Sequence, residues 1–244
     1  MKNMTRYTSL IAILAAAQCI VAEDTVQILT TGLHHGDEVT AESGPDWWGI
    51  FPEGDGFTLQ SAPVTITIVE DGLVDDKGEA TGKLVKVPQE AKPILLVRGI
   101  GELKEGRIWA VNTESLPRML YPGQIEVIRL DDHPNRNTLY LAALGEVRDE
   151  ADCREVGIFN YQIKIFNDSD QNRKRQVVLT IPELQADATP RLVWAGDLDR
   201  DGKLDLLFDA TYHYNVSLLV LYLSSAAKEG ELVGRVAEWK TTGC

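Results

Sequence analysis

The chain has 244 residues, of which 44% are hydrophobic and 25% charged, and its formal net charge is −13 at pH 7. This composition is typical of a folded globular protein and excludes a disordered tail or a bundle of membrane helices. The acidity argues against a nucleic-acid partner, because such proteins need a basic surface to displace counterions from phosphates. The length allows one large domain or two small ones.

Residues 1–22 have the pattern of a cleaved secretory signal peptide. The start is positively charged, residues 10–17 form an uninterrupted apolar run, and the segment ends on a small residue, Ala22. The apolar run is too short to cross a membrane comfortably. We therefore expect an exported protein, periplasmic or secreted, with no transmembrane segment in the mature chain. Lipid anchoring at Cys19 is the less favoured alternative, because the residues before it do not match a lipoprotein site.

Most of the remaining chain is predicted to form β-strands. Residues 64–68 and 161–165 alternate between apolar and polar side chains, which is typical of a strand with one buried face. Residues 94–97 and 218–223 are short and largely apolar, which is typical of strands covered on both faces.

Further β-rich runs are closed by turn-forming residues, and they lie at 124–130, 138–144 and 176–181. Plausible helices of the mature chain are short and lie near 113–119 and 224–228. The sequence therefore predicts a mainly-β fold, an antiparallel sandwich or a barrel-like structure in one or two β domains with few short helices.

Asp, His, Pro and Asn cluster at residues 131–137 and indicate a possible domain boundary. It would separate an N-terminal β region, 23–133, from a C-terminal β region, 134–244. A single shared core is the alternative that the sequence leaves open, because β sandwiches and barrels of this length occur as one domain.

Two cysteines remain after removal of the signal peptide, Cys153 and Cys244. In an exported chain this pair predicts a disulfide, and two unrelated free thiols are the alternative. Closing so long a loop stabilises the folded state by roughly 4–5 kcal/mol in the chain-entropy treatment.

The densest aromatic segment, residues 45–51, contains Trp47 and Trp48. An exposed indole can stack on a sugar ring or grip a peptide, so both are candidate ligand-binding residues. On a strand the two side chains face opposite sides, and we therefore expect at least one of them to pack in the core.

Two further pairs are candidates for metal or catalytic chemistry. Asp209 and His213 follow the aspartate motif described below, although a strand end with a polar turn explains them as well. His34 and His35 are adjacent, and neighbouring side chains on an extended chain point apart. We interpret the histidine pair as part of a surface turn.

Four aspartates form the strongest local motif in the chain. Asp197, Asp199, Asp201 and Asp205 occupy positions 1, 3, 5 and 9 of a calcium-binding loop, and Gly202 occupies position 6. Calcium takes roughly six to eight oxygen ligands at ~2.3–2.6 Å, and alternate positions of a tight turn direct carboxylates to one centre. Glycine lets the chain reverse there without a Cβ clash.

The motif differs from a complete EF-hand. Position 12 is Phe208 instead of a bidentate glutamate, and the flanking residues 191–194 and 204–208 are strand-like rather than helical. Position 7 is Lys203, whose backbone carbonyl can supply a further oxygen. An exported loop without the glutamate is expected to bind calcium weakly, with a Kd of order 10⁻⁴–10⁻³ M.

With strands on both sides, residues 194–207 resemble the calcium-binding element of integrin-type FG-GAP and bacterial VCBS repeats. The resemblance covers only about residues 192–211. It implies that Ca²⁺ binds at the side chains of Asp197, Asp199, Asp201 and Asp205 and at the carbonyl of Lys203. Those families close several copies into a propeller, and a single copy does not imply that fold or its adhesion function.

Together these features predict an exported calcium-binding β protein, a non-enzymatic binding or adhesion module of the cell envelope with a protein or glycan ligand. The alternative is a secreted or periplasmic hydrolase in which calcium is a structural stabiliser. The sequence contains no nucleophile elbow, zinc-protease helix motif, phosphate loop or dinucleotide fingerprint, so we name no catalytic residue. A purely structural accessory protein is a third possibility.

Overall fold

A computed structural model describes residues 25–111, 119–129, 138–149, 156–167 and 174–243. The signal peptide, the three cysteines and the predicted boundary at 133/134 lie outside the described residues, as does nearly all of the predicted helical piece at 113–119. The disulfide, the signal peptide and the division into two regions therefore stay predictions.

Sixteen β-strands and a 3₁₀ turn at Ala186–Ala188 make up the regular structure of the described residues, which confirms the mainly-β class. In chain order the strands are β1 (Gln27–Leu29), β2 (Gly32–His34), β3 (Trp48–Glu53), β4 (Gly56–Ser61), β5 (Thr65–Val69), β6 (Gly82–Lys86), β7 (Leu95–Arg98), β8 (Gly106–Ile108), β9 (Ile125–Ile128), β10 (Leu139–Asp149), β11 (Val156–Asn167), β12 (Arg175–Gln185), β13 (Arg191–Gly196), β14 (Asp205–Asp209), β15 (Val216–Leu223) and β16 (Gly234–Thr242).

These strands form four antiparallel sheets, none of which closes into a barrel within the described ranges. The N-terminal sheet has the order β1-β7-β3-β4-β8, and the small sheet has the order β2-β6-β5. The long-strand sheet has the order β12-β11-β10-β9, and the central sheet has the order β13-β14-β15-β16. Of the two architectures expected from the sequence, the structure is thus the sandwich.

The central sheet is covered on both faces, because its alternate side chains enter two different hydrophobic cores. Leu206, Phe208 and Tyr222 pack in a C-terminal core with the long-strand sheet. Leu207 and Leu221 pack in an N-terminal core with the N-terminal sheet. A strand with two buried faces lacks apolar–polar alternation, which is why residues 218–223 form a continuous apolar run.

Two strands of the long-strand sheet extend beyond the runs predicted from the sequence. β10 continues past Gly145, because a register shift between Leu144 and Glu146 absorbs the irregularity as a β-bulge. β12 continues through Pro182, because β12 lies at the edge of its sheet, where a residue without an N–H is tolerated.

Two local expectations are corrected by the structure. The alternation at 64–68 predicts a half-buried strand, but Ile68 in β5 is 65% exposed, because the three-stranded small sheet is covered over only part of its surface. Residues 224–228 form a turn rather than a helix, with the N–H of Ala227 bonded to the carbonyl of Ser224.

The segment after β8 connects the N-terminal and central sheets directly. The N–H of Val111 donates to the carbonyl of Ala195 at 2.8 Å, and the N–H of Asp197 donates to the carbonyl of Trp109 at 2.9 Å. This short pairing lies along β13, so the edge of the central sheet is protected where it meets the aspartate loop.

Among the described helical residues, nothing is long and apolar enough to span a bilayer.

We expect one cooperative unfolding transition, because the same sheet supplies both cores. Leu207→Ala and Phe208→Ala each remove a fully buried side chain, from the N-terminal and the C-terminal core respectively. Each should lower the free energy of unfolding by about 3 kcal/mol. The measurement is denaturant unfolding followed by tryptophan fluorescence and by far-UV circular dichroism.

Leu73→Ala is the control, because Leu73 is highly exposed and should change the stability by less than about 0.5 kcal/mol. Two separate transitions, each sensitive to only one of the core substitutions, would contradict the shared-sheet architecture.

Candidate metal centre

The aspartate loop connects the end of β13 to the start of β14. Asp197 directly follows β13 and Asp205 is the first residue of β14, so the pairing of the two strands brings the ends of the loop together. The loop reverses through two residues with positive φ, Arg200 at 60° and Gly202 at 80°. Glycine at the second position removes the Cβ penalty of that conformation, as the motif predicts.

Three of the predicted ligands converge. One carboxylate oxygen from each of Asp197, Asp199 and Asp205 lies within 4.8 Å of the other two. Asp205 has no exposed surface and Asp197 is only 9% exposed. A group of three carboxylates without imidazole or thiolate suits a hard cation that prefers oxygen ligands.

Asp201, a fourth predicted ligand, does not belong to this group of three. The carboxylate of Asp201 accepts the N–H of Lys203 at 2.8 Å and the hydroxyl of Ser224 at 2.9 Å, and the Lys203 ammonium lies 3.5 Å from it. Asp201 therefore stabilises the turn of its own loop through Lys203 and contacts the turn after β15 through Ser224. The expectation that the Lys203 carbonyl and Asp201 bind the metal stays a prediction.

Asp205 has the most perturbed environment in the loop. Its two oxygens accept the backbone N–H groups of Leu198 and Ser224, each at 2.8 Å. Burial raises the pKa of the Asp205 carboxyl to about 8, against the opposing effect of these two hydrogen bonds, and the negative charges of Asp199 and Asp201 raise it further. A bound cation would replace the proton as the compensating charge.

The turn after β15 forms one side of the loop. Besides the bonds of Ser224 to Asp205 and Asp201, the hydroxyl of Ser225 donates to Asp199 at 2.5 Å. These serines engage the carboxylates, and the chain turns here instead of continuing as the predicted helix. Sequence reasoning could not identify them, because they lie about twenty residues from the motif and serine is common in turns.

Arg200 attaches the loop to the N-terminal region. Its guanidinium donates to the backbone carbonyls of Lys104 and Glu105, both at 3.1 Å, and approaches that of Arg107 at 3.4 Å. Arg200 has a positive φ, and its side chain contacts the segment that leads into β8. The loop thus contacts the N-terminal sheet, the central sheet and the turn after β15.

The tryptophan pair is divided between core and surface. Trp47 is fully buried in the N-terminal core, with the Arg98 guanidinium 4.8 Å from its ring centre, whereas Trp48 is half-buried against the same core. We expected at least one of the two tryptophans to pack in the core, and Trp47 does so. This side chain offers no surface to a ligand.

The remaining candidate pairs do not converge on a metal. The Asp209 carboxylate accepts hydrogen bonds from Arg191 and Thr211, whereas the His213 ring bonds Asn215. Asp209 and His213 therefore have separate partners. His34 and His35 have different partners. His34 packs edge-on against Trp239, whereas His35 pairs with the buried carboxylate of Asp71, a partner that the surface-turn interpretation missed.

Comparison with protein-family models, curated proteins and solved structures gives no match for this chain. The resemblance of residues 192–211 to FG-GAP and VCBS elements therefore stays a prediction that depends on these residues alone.

The close approach at Gly196 generates a test of how the loop is held. A Cβ on Gly196 would lie 2.6 Å from the carbonyl oxygen of Trp109 and 2.3 Å from the Trp194 ring. Gly196→Ala should therefore separate residues 109–111 from the end of β13 and lower the free energy of unfolding by about 1–3 kcal/mol. Gly101→Ala is the matched control, because its Cβ would meet nothing within 4 Å.

Thermal unfolding of the two variants and the parent measures the difference. Equal stabilities for Gly196→Ala and Gly101→Ala would contradict the tight contact between residues 109 and 196.

Proposed function

We propose that this chain is an exported, non-enzymatic binding protein of the cell envelope and that the aspartate loop holds a structural Ca²⁺ ion. The observation that carries the proposal is the convergence of Asp197, Asp199 and Asp205 within 4.8 Å. Carboxylates at that distance repel one another when ionised, which helps to keep Asp205 protonated, and a divalent cation turns the repulsion into attraction.

The donor set fits calcium better than a transition metal. All three converging side chains are carboxylates, and Asp201 lies two residues along the same loop. Irregular oxygen coordination with backbone carbonyls and water completing the shell is typical of calcium, whereas magnesium requires a near-ideal octahedron. Zinc and copper sites usually include imidazole or thiolate ligands.

The surroundings of the loop support a structural role for the ion. The hydrogen bonds of Asp205, Arg200 and Ser225 join three parts of the chain at this point. An ion bound there would fix the junction in one arrangement, whereas catalysis would require an open coordination position facing a substrate cleft.

The outer face of the long-strand sheet supports a binding role. Ile125 and Val177 lie in one cross-strand row with Ala142 and Lys164, on the face opposite the C-terminal core. Ile125 and Val127 are about half exposed, at 60% and 47%. Apolar side chains gathered on one solvent face are a feature of surfaces that contact a partner.

Calcium should raise the melting temperature of the purified protein. With a Kd of order 10⁻⁴–10⁻³ M, about 10 mM Ca²⁺ contributes roughly 1.5–3 kcal/mol and raises Tm by about 3–10 °C. Asp199→Ala should abolish the increase, because it removes one converging carboxylate.

Asp187→Ala is the matched control, since it removes an exposed acidic side chain outside the loop and should leave the calcium effect intact. Identical melting curves with calcium and with a chelator would refute the calcium site.

Calcium binding should also release protons. With its pKa at about 8 in the metal-free protein, the Asp205 carboxyl is mostly protonated at pH 7. A cation that requires the charged form then displaces about one proton, and the apparent affinity falls about tenfold per pH unit below about 8. Above pH 9 the carboxyl is already ionised and the proton release disappears.

Calorimetric titration at pH 7 in two buffers of different ionisation enthalpy measures the number of protons released. A calcium affinity that does not change between pH 6 and pH 8 would contradict the link to Asp205.

A further inference from the structure

Two adjoining cavities lie at the end of the central sheet opposite the aspartate loop. Their volumes are about 640 and 570 Å³, and both are lined by His35 and Thr242. Val216 at the start of β15 pairs with Thr242 at the end of β16, and both residues line the larger cavity. The aspartate loop lies at the other end of β15, where Asp205 accepts the N–H of Ser224. A volume of this size accommodates a small organic ligand.

His35 is held in a fixed orientation between the two cavities. Its Nδ1 bonds the carboxylate of Asp71, whose side chain is only 3% exposed and also accepts the N–H of Leu73 at 3.2 Å. The backbone N–H of His35 donates to Glu38 at 3.1 Å. When the imidazole is neutral, the carboxylate keeps the proton on Nδ1 and leaves Nε2 as a lone-pair acceptor.

The charge around His35 favours a cation. Asp37, Glu38 and Asp71 act on the imidazole electrostatically, and each lines one of the two cavities. Among the described residues, no lysine or arginine lines either cavity. Burial lowers the pKa of the neighbouring His34, so that imidazole remains neutral near pH 7.

The rim of the larger cavity is apolar. Leu33, Leu73 and Tyr214 line it and are 50%, 71% and 73% exposed. Exposed aliphatic groups beside an exposed aromatic ring can cover the apolar part of a ligand, and the ring face attracts cations. Carboxylates in the lining together with exposed apolar groups suit a ligand that has a positive end and an apolar body.

We propose that the larger cavity, beside His35, binds an organic ammonium ion, which is a protonated amine attached to an apolar group. The ammonium donates to Nε2 of His35 and is attracted by the carboxylates of Glu38 and Asp71. The apolar body contacts Leu73 and Tyr214. This site is independent of the calcium loop, so Asp199→Ala should leave ammonium binding unchanged.

The test compares three probes of similar shape: phenethylammonium, 2-phenylethanol and phenylacetate. Isothermal titration and NMR chemical-shift mapping measure their affinities and sites. Phenethylammonium should bind at least about tenfold more tightly than the neutral alcohol, and phenylacetate should not bind. Equal binding of all three, tighter binding of the acid, or shifts confined to other regions would overturn the proposal.

Matched variants locate the site without disturbing the buried pair. Asp37→Asn and Tyr214→Ala change exposed side chains that line the cavities and should weaken phenethylammonium binding severalfold. Asp76→Asn makes the same charge change at an exposed acid outside both linings and should have little effect. An equal loss in Asp37→Asn and Asp76→Asn would refute a specific site.

The pH profile provides a second readout. The hydrogen bond to Asp71 raises the pKa of His35 above its ordinary value of 6.5, and the protonated imidazole repels an ammonium ion. Affinity should therefore rise from pH 6 to pH 9 and reach a plateau once His35 is neutral. An affinity that falls over this range would overturn the assignment of Nε2 as acceptor.

The same chemistry can come from a free amine or from a lysine side chain of a peptide. A short peptide with lysine next to leucine, titrated beside phenethylammonium, separates these sources. Tighter binding of the peptide assigns the cation to a partner chain, and tighter binding of phenethylammonium assigns it to a small molecule. Failure of both probes overturns the proposal.

Discussion

The buried carboxylate of Asp205 holds together the turns at one end of the central sheet. It accepts the N–H of Leu198 from its own loop and the N–H of Ser224 from the turn after β15. Burying this group has a large desolvation cost when it is charged, which is why its pKa rises to about 8. The hydrogen bonds of the loop offset part of that cost, and the Ca²⁺ ion that we propose would offset more of it.

The position of Asp205 follows from the burial of the central sheet on both faces. β14 begins at Asp205 and continues through Leu206 and Leu207, which enter opposite cores. A polar loop that leads into such a strand has little solvent near its base, so its last carboxylate must find protein donors or a metal. The bonds of Arg200 to the segment before β8 fix the same loop against the N-terminal region.

Local patterns in the sequence predicted part of the strand content and the position of the aspartate loop. Alternation at 161–165 and the apolar run at 218–223 predicted strands that are present in β11 and β15. The prediction was wrong where tertiary context overrides local propensity. Pro182 ended a predicted strand, although an edge strand tolerates proline, and residues 224–228 became a turn because Ser224 and Ser225 bond the aspartates.

The contacts that the sequence could not predict join residues far apart in the chain. His35 and Asp71 are separated by 36 positions, and Arg200 lies more than 90 positions from the carbonyls that it binds. Short-range spacing holds no information about such pairs, because they depend on which sheets pack together. The two sites at opposite ends of the central sheet illustrate the difference. The aspartate loop is encoded by spacing within ten residues, whereas the cavity around His35 exists only once β2, the 71–73 turn and the end of β16 meet.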